Sequence, residues 1–102
     1  MVVYISGKIT GNENYKAEFE EAQRFLEEQG CKVYNPANAQ EGRSAHEYMM
    51  MGFAMIGLCD EIVMLPGYLS SKGAAVEKAY AEYLGKTIRY LYRNSDGTLR
   101  CW

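Results

Sequence analysis

Residues Cys59 to Lys86 read CDEIVMLPGYLSSKGAAVEKAYAEYLGK. The pattern changes within this stretch. Asp60 to Pro66 is a short apolar run of strand length. Ser70-Ser71-Lys72-Gly73 is a turn of small polar residues. The segment beyond reads as a helix that starts near Ser71 or Gly73 and stops at Gly85. A strand that turns into a helix is half of a βαβ unit.

The same order repeats outward from it. Val2 to Ser6, VVYIS, is a buried strand closed by Gly7. A glycine-containing loop follows. From Tyr15, the residues Phe19, Ala22, Phe25 and Leu26 share one helical face with Tyr15, and Gly30 is the expected stop. Cys31 to Pro36 is a second strand. Ala37 to Arg43 is a polar loop. Ser44 opens a helix, with Glu47 three residues on as a capping box. Thr87 to Tyr92 is a fourth strand, and the last residues are left as a short edge strand or a frayed end. Strands alternating with helices imply a parallel sheet with right-handed crossovers. Ligands in such sheets bind beyond the carboxyl ends of the strands, where the strand order reverses. The loops expected to meet there are Gly7 to Asn14 and Pro66 to Gly73.

The chain of 102 residues reads as a single domain, 1–102. Its 48% hydrophobic and 24% charged residues are those of a globular protein. A net charge of -2 argues against a partner that is a nucleic-acid polymer. No apolar run approaches a membrane span, and no signal peptide is expected. Three cysteines without a CxxC spacing fit a reduced, cytoplasmic setting. His46 has no partner ligands near it, so no metal site is expected, nor any cofactor. No serine-histidine-aspartate triad can be assembled. Met49, Met50, Met51 and Met55 cannot all face one core, and they suit a core together with a subunit interface.

Glu77 is the residue that asks for an explanation. Its helical neighbours Gly73, Ala74, Tyr80 and Ala81 are uncharged, and small residues there leave space above the carboxylate. That suits a nucleophile or a hydrogen-bonding anchor. A surface glutamate paired with lysines is the plain alternative. Ser71 with Lys72 and the helix-start amides suits an anion. Ser71 also suits simple N-capping, and the two roles are compatible. Tyr4 is either a core aromatic or a ring at the switch point. The GKITG loop has phosphate-loop glycines without the GxxxxGK[ST] order.

YISGKITG near the start, VYNPA after the first helix, and the LPG-x-x-x-S-x-GA-x-x-E arrangement together resemble the nucleoside 2-deoxyribosyltransferase-like superfamily. The resemblance runs from Val3 to about Leu91. It implies a flavodoxin-like (Rossmann-like) three-layer fold with a four- or five-stranded parallel sheet. It implies that Glu77 attacks the anomeric carbon of a nucleoside or nucleotide, through a glycosyl-enzyme intermediate. Tyr4 then matches the tyrosine that hydrogen-bonds the nucleophile. Ser71, Gly73, Lys72 and the Ser6, Gly7, Lys8 and Gly11 segment match substrate and phosphate contacts, tilting the substrate toward a nucleoside 5′-monophosphate. Homodimers or larger homo-oligomers are implied as well.

One position departs from the family. Where its members carry an aspartate that assists the leaving base, this chain has Gly52. Asp60, Glu47, His46 or water would have to substitute, and Asp60 is better read as a cap. Restoring the acid by Gly52→Asp is expected to raise base release, unless a neighbour packs closely on Gly52. Two function classes follow. One is an N-glycosidase or deoxyribosyltransferase-like enzyme. The other is a catalytically weak module that holds a nucleotide. A pure interaction protein would leave the Ser-x-Gly-Ala-x-x-Glu pattern unexplained.

Overall fold

The first strand, β1 (Val2–Ser6), is buried almost throughout, as its unbroken apolar run requires. The computed structural model describes residues 1–39 and 41–101. Gln40, within the expected polar loop, and Trp102 lie outside the described residues. After β1 come α1 (Tyr15–Glu28), β2 (Lys32–Tyr34), α2 (Ala45–Leu58), β3 (Glu61–Met64), α3 (Lys72–Tyr83), β4 (Thr87–Arg93) and β5 (Leu99–Cys101).

Local chemistry sets the helix ends. α1 buries Phe19, Ala22 and Leu26 and stops at Gly30, whose φ of 89° closes the last turn. There Gly30 N donates to Glu27 O at 2.9 Å and Cys31 N to Leu26 O at 3.1 Å, a Schellman arrangement. α2 starts in the expected capping box: Glu47 N donates to Ser44 Oγ, and Ser44 N donates to Glu47 Oε1. Ser71 caps α3, its Oγ accepting from Ala74 N at 3.1 Å.

The strand order is β2-β1-β3-β4-β5. β2, β1, β3 and β4 are parallel, whereas β5 runs antiparallel to β4. The sheet is therefore mostly parallel rather than wholly so. The Asn94–Gly97 turn is too short for a crossover and returns the chain as a hairpin. The order reverses between β1 and β3, as expected of a flavodoxin-like fold. Ser6 is in register with Met64, and Leu65 N donates to Ser6 O at 2.8 Å. The carboxyl ends of both strands thus stop side by side.

Two cores follow from strand alternation. Val3, Ile5 and Val63 pack with Phe19 and Leu26 of α1 on one face. Tyr4, Ile62 and Met64 pack with Ile56, Ala74 and Ala81 of α2 and α3 on the other. The methionines of α2 do not all face one core. Met55 packs on the second core, while Met50 is 54% exposed. Asp60 ties strand ends together rather than capping a helix: Val2 N donates to its Oδ2 at 2.9 Å, at the amino ends of the strands. Among the described residues, no helix is long and apolar enough to cross a membrane.

Candidate functional site

Tyr4 and Ser6 are two residues apart on β1, so their side chains leave the same face of the sheet. That face is the one α3 covers. Glu77, on the second turn of α3, reaches down to both. Tyr4 Oη donates to Glu77 Oε2 at 2.6 Å, and Ser6 Oγ donates to Oε1 at 2.6 Å. Each carboxylate oxygen holds one short, charge-assisted bond. The plain alternative of a surface glutamate paired with lysines does not hold. Lys78, its neighbour, instead lies over the rings of Tyr68 and Tyr90.

Burial pushes the Glu77 carboxyl above its ordinary value, and the bonds from Ser6 and Tyr4 work against that shift. Burial, then the charge of Glu77, pushes the Tyr4 phenol far upward. Tyr4 is therefore a fixed donor and keeps its proton.

α2 closes the back of the carboxylate. A Cβ built on Gly52 would lie 2.3 Å from Glu77 Oε2 and 3.0 Å from Tyr4 Oη. No side chain fits there while Glu77 keeps its place. The expectation that Gly52→Asp would restore a proton donor is revised by this contact, because the carboxylate of Glu77 already fills the space.

In front of Glu77 opens a cavity of about 540 Å³. Glu77 and Tyr4 form its floor. Gly7, Ile9 and Thr10 of the first loop form one wall, and Ser70 to Ala74 of the α3 entry form another. Pro36, Ala45, Tyr48 and Met49 close a third, largely apolar side. The volume falls within the range of small-molecule sites, and its place is the switch point between β1 and β3.

The residues singled out from the sequence divide clearly. Glu77, Tyr4, Gly7, Ser71, Lys72 and Gly73 line the cavity together. Ser6 sits beneath it, fully buried, as a partner of Glu77 rather than a wall of the pocket. Lys8 and Gly11 are not among the lining residues. The Lys8 carbonyl instead accepts from Asn12 Nδ2 within the loop. Tyr48, Met49 and Thr10 escaped sequence reasoning, for they reach the cavity only through the packing of α2 and the first loop. The role of Ser6 was within reach, since a period of two places it beside Tyr4.

A broader hollow of about 710 Å³ opens between α1 and the segment after β2. Lys16 there pairs with Glu41 at 2.6 Å, and Asn35 Nδ2 donates to Gln23 Oε1 at 2.9 Å. Glu20 there pairs instead with Arg24 of the same helix, and the acids that line the hollow, Glu20 and Glu41, are exposed. Among the described residues, no group of three histidine, cysteine or acidic side chains could hold a metal ion.

The mostly parallel sheet resembles that of the nucleoside 2-deoxyribosyltransferase-like superfamily, and known structures bear out the resemblance. The chain itself belongs to the family described as "Domain of unknown function (DUF4406)", whose model matches residues 1–90. One similar structure is the CMP N-glycosidase BcmB of Clostridium botulinum, at 27% identity and a TM-score of 0.63, over 86% of this chain and 68% of that one. Another is a 2-desoxiribosyltransferase from Leishmania mexicana, at 22% identity and a TM-score of 0.70, over 91% of this chain and 65% of that one. A third is a 2-deoxyribosyltransferase from Bacillus psychrosaccharolyticus, at 20% identity and a TM-score of 0.67, over 86% and 69%. The last two likenesses concern the fold alone. No curated protein matches the chain.

Proposed function

We propose that this protein cleaves the N-glycosidic bond of a nucleoside 5′-monophosphate, with Glu77 as the nucleophile. The observation that carries the reading is the Glu77 carboxylate itself. It is held from the sheet side by Tyr4 and Ser6 through two 2.6 Å bonds, and Glu77 lines the cavity. A carboxylate held in this way is preorganised to attack a carbon that enters from the cavity. The likeness to a CMP N-glycosidase supports the same class of reaction.

Ser71, Lys72 and Gly73 stand at the amino end of α3, where free amides and the helix dipole favour an anion. This end receives the 5′-phosphate. The apolar side with Tyr48 and Met49 receives the base. In the first step a Glu77 oxygen bonds to C1′ and the C1′–N bond breaks, its electron pair leaving with the base. Water then attacks C1′ and frees Glu77, giving the sugar 5-phosphate. A second base in place of water would make the reaction a transfer.

Incubation with a panel of nucleoside and deoxynucleoside monophosphates, assayed for free base, tests the proposal. A 2-fluoro sugar analogue should leave a covalent adduct on the parent protein, seen by intact mass, and none on Glu77→Gln. The second reading is a nucleotide-binding module without turnover. Gly52 favours it, since no acid stands at that position. Nucleotide binding without base release from any substrate would select it.

The protein would act as a homodimer or larger assembly. α2 carries no charged residue after Glu47 yet exposes Met50, Ala54 and Leu58. The thiols of Cys31, Cys59 and Cys101 form no disulfide, which suits a cytoplasmic setting. Light scattering at several concentrations reads the assembly directly.

A further inference from the structure

The position that clamps Glu77 also decides which bases can leave. This inference rests on the proposed glycosidase reading and specifies its substrate. The cavity holds one carboxylate among its described lining residues, Glu77, and no histidine. The acids and the histidine near α2 are placed elsewhere. Glu47 is engaged with Ser44 N and Arg43, Asp60 binds Val2 N at the other end of the sheet, and His46 does not line the cavity. The lining residues with protic side chains are Tyr4, Tyr48, Thr10, Ser70, Ser71 and Lys72, and Ser70 Oγ donates to Gly67 O at 3.0 Å. Alcohols, phenols and ammonium groups are far weaker acids than a carboxylic acid. Tyr4 is committed as a donor to Glu77.

Position 52 does not supply such an acid either. An acid on α2 facing the carboxylate would need a Cβ at Gly52, and that atom would stand 2.3 Å from Glu77 Oε2. With Glu77 held in this place, the close approach of α2 leaves no room for a side-chain proton donor at position 52.

The geometry points to Gly52 as a specificity-determining residue: the site selects nucleotides whose base departs as a stabilised anion, without protonation by the protein. The balance is simple. The electron pair of the C1′–N bond goes to the base nitrogen as the Glu77 oxygen bonds C1′. Hydrolysis of the glycosyl ester then consumes one water. Its hydroxyl goes to C1′, and its proton goes through solvent to the departed base. General-acid help to a leaving group is typically worth about 10²- to 10⁴-fold. A site without it must draw that factor from the leaving group itself.

The test is a leaving-group series on the parent protein. The substrates are the 2′-deoxynucleoside 5′-monophosphates of 3-methyluracil, 5-fluoro-3-methyluracil and 3-methyl-5-nitrouracil, whose N1–H groups are progressively stronger acids in the free bases and which carry no N3–H that could ionise in the nucleotide. The three bases are close in size, so binding varies little. Single-turnover base release should rise across the series by roughly 10²-fold or more, the factor a general acid would otherwise supply. It should show no decline at high pH within the range where the protein stays folded, because no group must remain protonated to assist departure. Equal rates across the series, or a rate that falls as pH rises while the fold persists, would overturn the inference and leave the glycosidase reading standing. No release from any of the three would remove both.

Discussion

Gly52 of α2 and Glu77 of α3 meet so closely that a methyl group on the first would stand 2.3 Å from a carboxylate oxygen of the second. Glycine inside a helix ordinarily costs stability relative to alanine, by about 0.5 to 1 kcal/mol. Here it leaves room for the carboxylate.

That relationship predicts opposite signs for two alanine substitutions on one helix. Gly57 has no atom within 4 Å of a Cβ placed on it. Gly57→Ala should stabilise the protein by up to about 1 kcal/mol through helix propensity. Gly52→Ala should lower the melting temperature despite the same propensity gain, or else displace Glu77 and suppress base release by about 10²-fold. Melting curves and turnover of the two variants, measured side by side, check this.

Glu77→Gln should abolish base release and stabilise the fold at neutral pH. The sign follows from burial. The folded protein holds the Glu77 carboxyl above its unfolded value, so the folded state binds more protons across the interval between the two. Stability from this group is present below the unfolded value and is lost as pH rises through the folded one. The neutral amide avoids that loss. The melting-temperature gain of Glu77→Gln should therefore be largest near neutrality and shrink as the pH falls below the ordinary carboxylate range.

Tyr4→Phe keeps the ring in the core and removes one 2.6 Å bond to Glu77. A hydrogen bond to a charged group contributes about 1.5 to 3 kcal/mol. Base release at neutral pH should fall roughly ten- to a hundred-fold, a range set by the same bond energy. The Tyr4 bond lowers the Glu77 value, so the rise of activity with pH should move to higher pH in the variant. A pH-rate profile that only scales down, without moving, would argue against this role for Tyr4.

Ser71 caps α3 and lines the cavity, and two substitutions separate these tasks. Ser71→Ala removes the cap, at a cost of about 0.5 to 2 kcal/mol, and with it the hydroxyl offered to phosphate. Ser71→Asp keeps a good cap and suits the helix dipole, yet repels a phosphate. The alanine variant should lose both stability and nucleotide affinity. The aspartate variant should melt near the parent temperature and bind nucleotides at least about ten-fold more weakly, while nucleoside binding is spared. Calorimetry with matched nucleoside and nucleotide pairs reads the difference.

The sequence by itself determined whatever depends on neighbours along the chain. Ser44 and Glu47 close a capping box within four residues, Ser71 reaches the amide three residues on, and Gly30 admits the left-handed turn that ends α1. Period two and the helical period sort the buried residues, and the alternation of strands and helices marks where a ligand site falls. Glu77 and Tyr4 were also legible, through the motif that carries the resemblance. Only the tertiary structure decided what lies 20 or more residues apart. It set Ser6 under Glu77, brought Tyr48 and Met49 to the cavity, and left Lys8 and Gly11 outside it. It also showed why position 52 carries no side chain. The pattern of α2 records a glycine, but the atom that excludes a Cβ there belongs to a different helix, and no local periodicity reports the distance between two helices.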